Sequence, residues 1–297
     1  TAAAGGLRAT ASFAIPEALT SITIKHEGKN TALSSLRVAG GSTTELTATG
    51  WYYGNKVYSA DTSFTWSVSD ALGTIDEDGT FTAVQTGRDV TGTLTVTYGE
   101  TNCTLPVTVG SSQPFDDTKG HWAESYITEL YYAGTLQGSE KNGKLYYRPD
   151  ACMTRQEFIV AMIRYLGTDL SAYASVQLPF DDSGSIASWA KSAMQAAYQL
   201  GYLTGSKTNG KLLAKPGSTI SRQEAMTILS RTKDFADADL NVLSAFSDSG
   251  KIADWARTAL AQMTQQKIIS GSKGKLNPTG KVTRAEVAKM LYMLSES

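Results

Sequence analysis

Four residues recur three times in the second half of this sequence, as Thr154-Arg155-Gln156-Glu157, Ser221-Arg222-Gln223-Glu224 and Thr283-Arg284-Ala285-Glu286. A repeat at fixed period constrains architecture more tightly than local propensity does, because each unit must bury its apolar face against another copy of itself. Other residues keep step with the motif. Phe115, Phe180 and Phe246 open the three units, 65 and 66 residues apart, and Trp122, Trp189 and Trp255 follow them. Gly138, Gly205 and Gly271 each lie 16 residues after their Trp, a constant distance that predicts one rigid element of equal length in every copy. Ile127 and Leu130, Met194 and Ala197, and Leu260 and Met263 share one helical face of that element, and Leu136, Leu203 and Ile269 close it. A second apolar segment with helical spacing, such as Phe158, Ile159 and Met162, follows each Thr/Ser-Arg-x-Glu. The polar stretch between them (residues 139–145 and 206–212) is shorter in the third copy, where Gly to Arg takes 13 residues against 17 in the others. Each unit reads as helix, exposed loop, helix.

Thr or Ser followed three residues later by Glu is a helix-start signature. The hydroxyl accepts from the third helical amide, and the carboxylate reaches back to the capping residue's own amide. This assigns Glu157, Glu224 and Glu286 to capping. The Arg is left over, at a first helical position where the helix dipole mildly disfavours a cation.

The first part of the chain is different. Between residues 19 and 110 apolar and polar residues alternate with strand period, as in Ser21-Ile22-Thr23-Ile24, Phe64-Thr65-Trp66-Ser67-Val68 and Thr93-Leu94-Thr95-Val96. Turn signals at Gly40-Gly41, Tyr53-Gly54-Asn55, Asp78-Gly79 and Tyr98-Gly99 separate them, which favours a β-sandwich. Trp66 is read as an inward core residue, and Asp76, Glu77 and Asp78 as a solvated turn without the ligand spacing of a calcium loop. In residues 1–18, Leu7, Ala9, Ala11 and Phe13 alternate like a strand before Pro16; this is either a first strand of the sandwich or the tail of an upstream domain.

Composition narrows the function classes. The net charge is −1 and the pI about 6.1, so no general field draws the chain to nucleic acid, yet residues 1–112 carry −4 and residues 113–297 carry +3. The second half is thus biased towards anionic partners. No apolar run approaches the roughly 20 residues of a membrane span. Starting at Thr1-Ala2-Ala3-Ala4, the sequence reads as a mature fragment or a piece of a longer precursor. Cys103 and Cys152 fall in different halves and read as unpaired thiols. His26 and His121 are the only histidines, and there is no nucleophile motif, no metal-ligand spacing and no phosphate loop. Neither a catalytic residue, a metal nor a cofactor is expected.

Two resemblances follow from these residues. Phe64-Thr-Trp66-Ser-Val68, Gly73-Thr-Ile75 through Asp78-Gly79-Thr-Phe81, and Gly92-Thr-Leu94-Thr-Val96 resemble the bacterial immunoglobulin-like repeat family, usually spacers or adhesive modules. Phe-x-Asp, Trp, Leu-x-Gly and Thr/Ser-Arg-x-Glu, three times in order, resemble the S-layer homology domain in its customary set of three. The expected fold is therefore multidomain, all-β plus all-α. An immunoglobulin-like sandwich over residues 19–112, preceded by segment 1–18, is followed by repeats at 113–178, 179–244 and 245–297. The resemblance implies that these form a pseudo-threefold helical trimer of helix-loop-helix units around a central three-helix bundle, in a monomeric chain.

The same resemblance implies a function: non-covalent attachment to secondary cell-wall polysaccharide, often carrying pyruvate ketals, at the bacterial cell surface. It tethers an upstream protein, with no nucleic-acid partner and no membrane insertion. A ketal carboxylate suits the planar guanidinium of Arg155, Arg222 and Arg284, with backbone amides at the neighbouring helix N-terminus as further donors. The alternative for these arginines is a structural ion pair with Asp117, Asp182 or Asp248. Those aspartates are expected either to accept from sugar hydroxyls or to serve as turn and helix caps. Trp122, Trp189 and Trp255 either stack on sugar or fill the core. Gly138, Gly205 and Gly271 are expected to end the first helix in a left-handed conformation, beside the ligand. Ser247 in place of Asp, the shorter loop, and Lys267 where the other copies have Gly134 and Gly201 predict unequal grooves. A polysaccharide-processing enzyme and a self-assembling S-layer subunit are the alternative functions.

Overall fold

Alternating Thr and Val/Leu in residues 90–109 is what a strand needs to bury one face and wet the other, and those residues form the longest strand pairing among the described residues. The computed structural model describes residues 2–4, 7–9, 19–52, 56–58 and 64–295. They fall into two units, Thr1–Ser112 and Gln113–Ser297.

In the first unit β1 (Ala2–Ala4) and β2 (Leu7–Ala9) pair with each other and join neither larger sheet. Ala11 and Phe13, expected in the same strand as Leu7, lie outside the described residues. The remaining strands are β3 (Ser21–His26), β4 (Leu36–Ala39), β5 (Thr43–Tyr52), β6 (Lys56–Tyr58), β7 (Thr65–Val68), β8 (Gly73–Ile75), β9 (Thr80–Ala83), β10 (Val90–Tyr98) and β11 (Thr101–Gly110). One sheet runs β4-β11-β10-β7, parallel only between β4 and β11; the other runs β3-β5-β9-β8, with β6 on β5. Ile22, Ile24, Leu46 and Phe81 from the second and Leu36, Leu94, Val96, Leu105 and Val107 from the first share one core. Trp66 packs against it, partly buried. Asp76 closes its turn by accepting from the amides of Asp78 and Thr80 (3.1 and 2.8 Å).

The second unit contains α1 (Glu124–Tyr132), β12 (Ser139–Lys141), β13 (Lys144–Tyr146), α2 (Arg155–Tyr165), α3 (Lys191–Gln199), β14 (Ser206–Thr208), β15 (Lys211–Leu213), α4 (Arg222–Leu229), α5 (Asp254–Gln265) and α6 (Arg284–Ser295). It is mixed α and β, which corrects the expected all-α trimer. The stretches read as polar loops are β-hairpins, Ser139↔Tyr146 and Ser206↔Leu213, turning at Asn142-Gly143 and Asn209-Gly210. All four turn residues have positive φ (53° and 73°, 49° and 78°), the two-residue turn whose twist matches paired strands and for which Asn-Gly is the strongest short signal. In the third copy Lys273-Gly274 takes the same turn, but only the bridge Ser272↔Lys275 forms.

The expected central three-helix bundle, with one helix from each repeat, is replaced by a different packing. Each Arg helix lies on the first helix of the following repeat: α2 on α3, α4 on α5, and α6 back on α1. Short bridges Thr154↔Thr219, Ser221↔Lys281 and Cys152↔Thr283 run the same way round. The last repeat therefore closes on the first. One core serves all three, from Phe115, Ile127 and Phe158 through Met194 and Met226 to Leu260 and Leu291.

Candidate functional site

Arg155, Arg222 and Arg284 are the first residues of α2, α4 and α6. A free helix start would offer its first amides to an anion. Here protein carbonyls take them. Arg155 and Gln156 donate to Ser218 and Pro216 (2.9 and 3.1 Å), Arg222 and Gln223 to Gly280 and Pro278 (both 2.8 Å), and Arg284 and Ala285 to Ala151 and Pro149 (both 2.9 Å). In each case the acceptor belongs to the following repeat, the first following the third. The amides expected to hold ligand instead join repeats.

The glutamates do two jobs. Oε2 of Glu157, Glu224 and Glu286 accepts from the backbone amide of Thr154, Ser221 and Thr283 (2.8, 2.8 and 2.9 Å) and completes the capping box. The other oxygen faces an arginine of the preceding repeat: Arg155 Nη1 lies 3.0 Å from Glu224, Arg222 Nη1 2.9 Å from Glu286, and Arg284 Nη1 3.9 Å from Glu157. The arginines thus pair with these glutamates and not with Asp117, Asp182 or Asp248. Sequence reasoning had a signal for this. Arg and Glu two residues apart on one helix do not face each other, so a recurrent pair must be satisfied between copies. Burial lowers the Arg155 guanidinium below its ordinary value, against the pull of Glu224 and Asp182, yet arginine starts high enough to stay charged. Burial would raise the Glu224 carboxyl; bonds from Ser221 and the charges of Arg155 and Lys281 outweigh it and hold the group below its usual range.

Each aspartate spends both oxygens on two successive amides: Asp117 on Tyr147 and Arg148 (2.9 and 2.7 Å), Asp182 on Ala214 and Lys215 (2.8 and 2.7 Å), Asp248 on Leu276 and Asn277 (2.9 and 2.8 Å). Arg148, Lys215 and Asn277 have φ of 58°, 52° and 52°, a conformation that L-residues adopt reluctantly. The aspartates clamp this kink and cap no helix with their side chains. Burial would raise Asp248, but the amides of Leu276 and Asn277 lower it.

The glycines also differ from expectation. The helices end at Tyr132, Gln199 and Gln265, and the left-handed residue after each is Gly134, Gly201 or Lys267 (φ 76°, 78° and 57°). Gly138, Gly205 and Gly271 come four residues later, where the chain crosses the opening Phe; Gly205 and Gly271 are left-handed there (φ 71° and 68°), as expected, but Gly138 is not. A Cβ there would stand 2.4, 2.6 and 2.8 Å from Phe115, Phe180 and Phe246 Cε1. The constant 16-residue interval is thus helix plus turn.

The tryptophans are at the surface. Trp122, Trp189 and Trp255 are 55%, 56% and 58% exposed, which removes core packing as their explanation. Three such rings at equivalent positions form apolar platforms open to solvent. One of them enters a groove. Trp122 and Arg222 line a cavity of about 560 Å³ with Gly271, the third loop, and Lys289 and Met290 of α6.

The three arginines differ at the guanidinium edge formed by Nε and Nη2. Arg155 Nε donates to the Ala214 carbonyl (2.9 Å). Arg284 Nε and Nη2 donate to the Tyr147 and Gln137 carbonyls (2.7 and 2.8 Å), with the cation 4.4 Å above the Tyr147 ring. Arg222 Nε is buried and has no hydrogen-bond partner among the described residues. Gln156 and Gln223 accept from Ala187 and Ala253, the residues two before Trp (3.0 and 3.1 Å); Ala285 has no such group, and Gly120 donates to Glu124 instead (2.7 Å).

Residues 114–159, 179–226 and 245–288 match the family model of the S-layer homology domain. The chain carries three S-layer homology domains. These are anchoring modules and give it a cell-wall anchoring role at the cell surface. It is similar to an amylopullulanase of Thermoanaerobacterium thermosulfurigenes, 28% identical over 68% of this chain and 10% of that protein. It is also similar to the exoglucanase XynX of Acetivibrio thermocellus, 29% over 78% and 21%, and to a surface-layer 125 kDa protein of Lysinibacillus sphaericus, 37% over 61% and 15%. The chain thus spans about a tenth to a fifth of their lengths. Among the described residues no helix is long and apolar enough to cross a membrane, and no group of His, Cys, Asp or Glu is arranged to hold a metal.

Proposed function

We propose that the chain attaches a surface protein to the cell wall by holding anionic secondary cell-wall polysaccharide, with pyruvate ketals as the recognised charge, in grooves between its repeats 113–178, 179–244 and 245–297. The observation that carries this reading is the cavity that joins the exposed ring of Trp122 to the Arg222 guanidinium. An aromatic face packs on the apolar side of a sugar, and a guanidinium edge holds a carboxylate through two parallel hydrogen bonds. Trp189 and Trp255 supply the corresponding rings of the other grooves, beside Arg284 and Arg155, whose Nε already donates to a carbonyl. Asp117, Asp182 and Asp248 hold the loop backbone in position, and Gly138, Gly205 and Gly271 let it lie on the Phe ring. Residues 19–112 serve as an immunoglobulin-like spacer.

The test is sedimentation of the full chain with purified cell-wall sacculi. Binding is expected, and is expected to vanish after the polysaccharide is extracted or its ketal removed. Undiminished binding to stripped sacculi refutes the reading. The likeness to a surface-layer protein favours a second reading, self-assembly into a sheet. Ordered arrays formed by the chain alone would establish it.

A further inference from the structure

The cavity at Arg222 holds more positive charge than one ketal carboxylate can use. Arg222, Lys273, Lys275 and Lys289 line it, against the single carboxylate of Glu286. That carboxylate is already engaged, one oxygen on the Thr283 amide at 2.9 Å and the other on Arg222 Nη1 at 2.9 Å. Lys289 is half-buried on α6, five residues after Arg284, and it forms no ion pair with any described residue. At the same register α2 has the buried Val160 and α4 the buried Thr227. An ammonium is therefore special to this groove, and partial burial without a counter-ion costs solvation that a bound anion would offset. Arg222 differs from its two counterparts in the same direction, since its Nε lacks the carbonyl that occupies Arg155 and Arg284.

We propose that this groove takes a saccharide segment bearing two negative charges, a carboxylate on the Nε/Nη2 edge of Arg222 and a second acidic group at Lys289. The proposal rests on the polysaccharide reading and adds the ligand's charge. Trp122 supplies the ring platform between the two charged ends. The other two grooves, without the lysine and with their arginine Nε committed to a carbonyl, accept singly charged or neutral segments at lower affinity.

The test is calorimetric titration of the full chain with two synthetic fragments. One carries a single pyruvate ketal; the other carries the ketal and a neighbouring uronate. The doubly charged fragment is expected to bind about tenfold more tightly, the effect of one added charge pair in a partly solvated site. Lys289→Val, which installs the residue of the first repeat, is expected to remove that advantage, with a smaller loss for the singly charged fragment, which keeps its contact with Arg222. Lys289→Gln repeats the test with a polar side chain, and a thermal scan checks that both variants fold. Equal affinity for the two fragments, or an undiminished advantage in both variants, overturns the proposal alone. Binding of neither fragment by the wild-type chain overturns the polysaccharide reading with it.

Discussion

Replacing Glu224 by Ala removes two contacts that the second unit uses at one joint. The first is the cap: Oε2 accepts from the Ser221 amide at 2.8 Å, and losing such a cap costs about 1 kcal/mol. The second is the partner of Arg155, a residue only 9% exposed. Stripping one partner from a fully buried pair costs about 3–5 kcal/mol, but the Glu224 side chain is 32% exposed and water reaches it, so about 2 kcal/mol is the better figure. The sum, about 3 kcal/mol, corresponds to a fall of about 6–12 °C in Tm for a unit of this size. Scanning calorimetry of the full chain measures it, with hydrogen exchange in α2 and α4 assigning the transition. The protein contains its own control. Glu157 caps α2 in the same way, but its arginine stands 3.9 Å off, so Glu157→Ala should lose little beyond the cap, about 1 kcal/mol. The double variant Arg155→Met, Glu224→Ala should be less damaged than Glu224→Ala alone, because no buried cation is left unpaired. Equal losses at Glu157 and Glu224, or a double variant worse than the single, would refute the assignment of this pair to the joint.

The Glu224 carboxyl is held below its ordinary value of 4.5, so it releases its proton more readily folded than unfolded. Its contribution is therefore fully present above that pH and lost as pH falls through the lower folded value; urea titrations between pH 6 and 3 should show a decline that Glu224→Gln flattens. Lys267 occupies a left-handed position where the other repeats have Gly, and it is exposed, so Lys267→Gly should stabilise the fold by about 1 kcal/mol, seen as a higher Tm. Gly138→Ala drives a methyl against Phe115 and the Tyr146 carbonyl and should destabilise by about 1–3 kcal/mol in the same assay. Trp122→Ala should change Tm by less than about 2 °C, since the ring is more than half exposed, while sacculus binding falls.

The period, the helices and the capping boxes were legible in the sequence because each is written within a few neighbouring residues. What each side chain touches across the joints was not. Asp117 acts 30 residues downstream, on the Tyr147 amide, and Arg284 reaches back 137 residues to the Tyr147 carbonyl, so no local pattern announces either. The hairpins were a different failure. Asn142-Gly143 and Asn209-Gly210 carried the turn signal, but strands of three residues are too short to show an alternation beside it. The exposure of the three tryptophans was equally hidden, because an aromatic at the start of an amphipathic helix has the same spacing whether it faces inward or out.

Helical solenoids grow by stacking, and their first and last repeats need polar caps because each has one unsatisfied face. In this protein the Arg284 helix ends that problem by donating to Ala151 and Pro149 of the first repeat, so every repeat has both a predecessor and a successor. Three is then a closed number. A fourth copy would find no free face to dock on, and loss of one would open two joints at once, leaving an Arg at one and a Glu oxygen at the other without its partner across the joint. Gene duplication can lengthen a solenoid one repeat at a time; a unit built like this one can multiply only in whole sets.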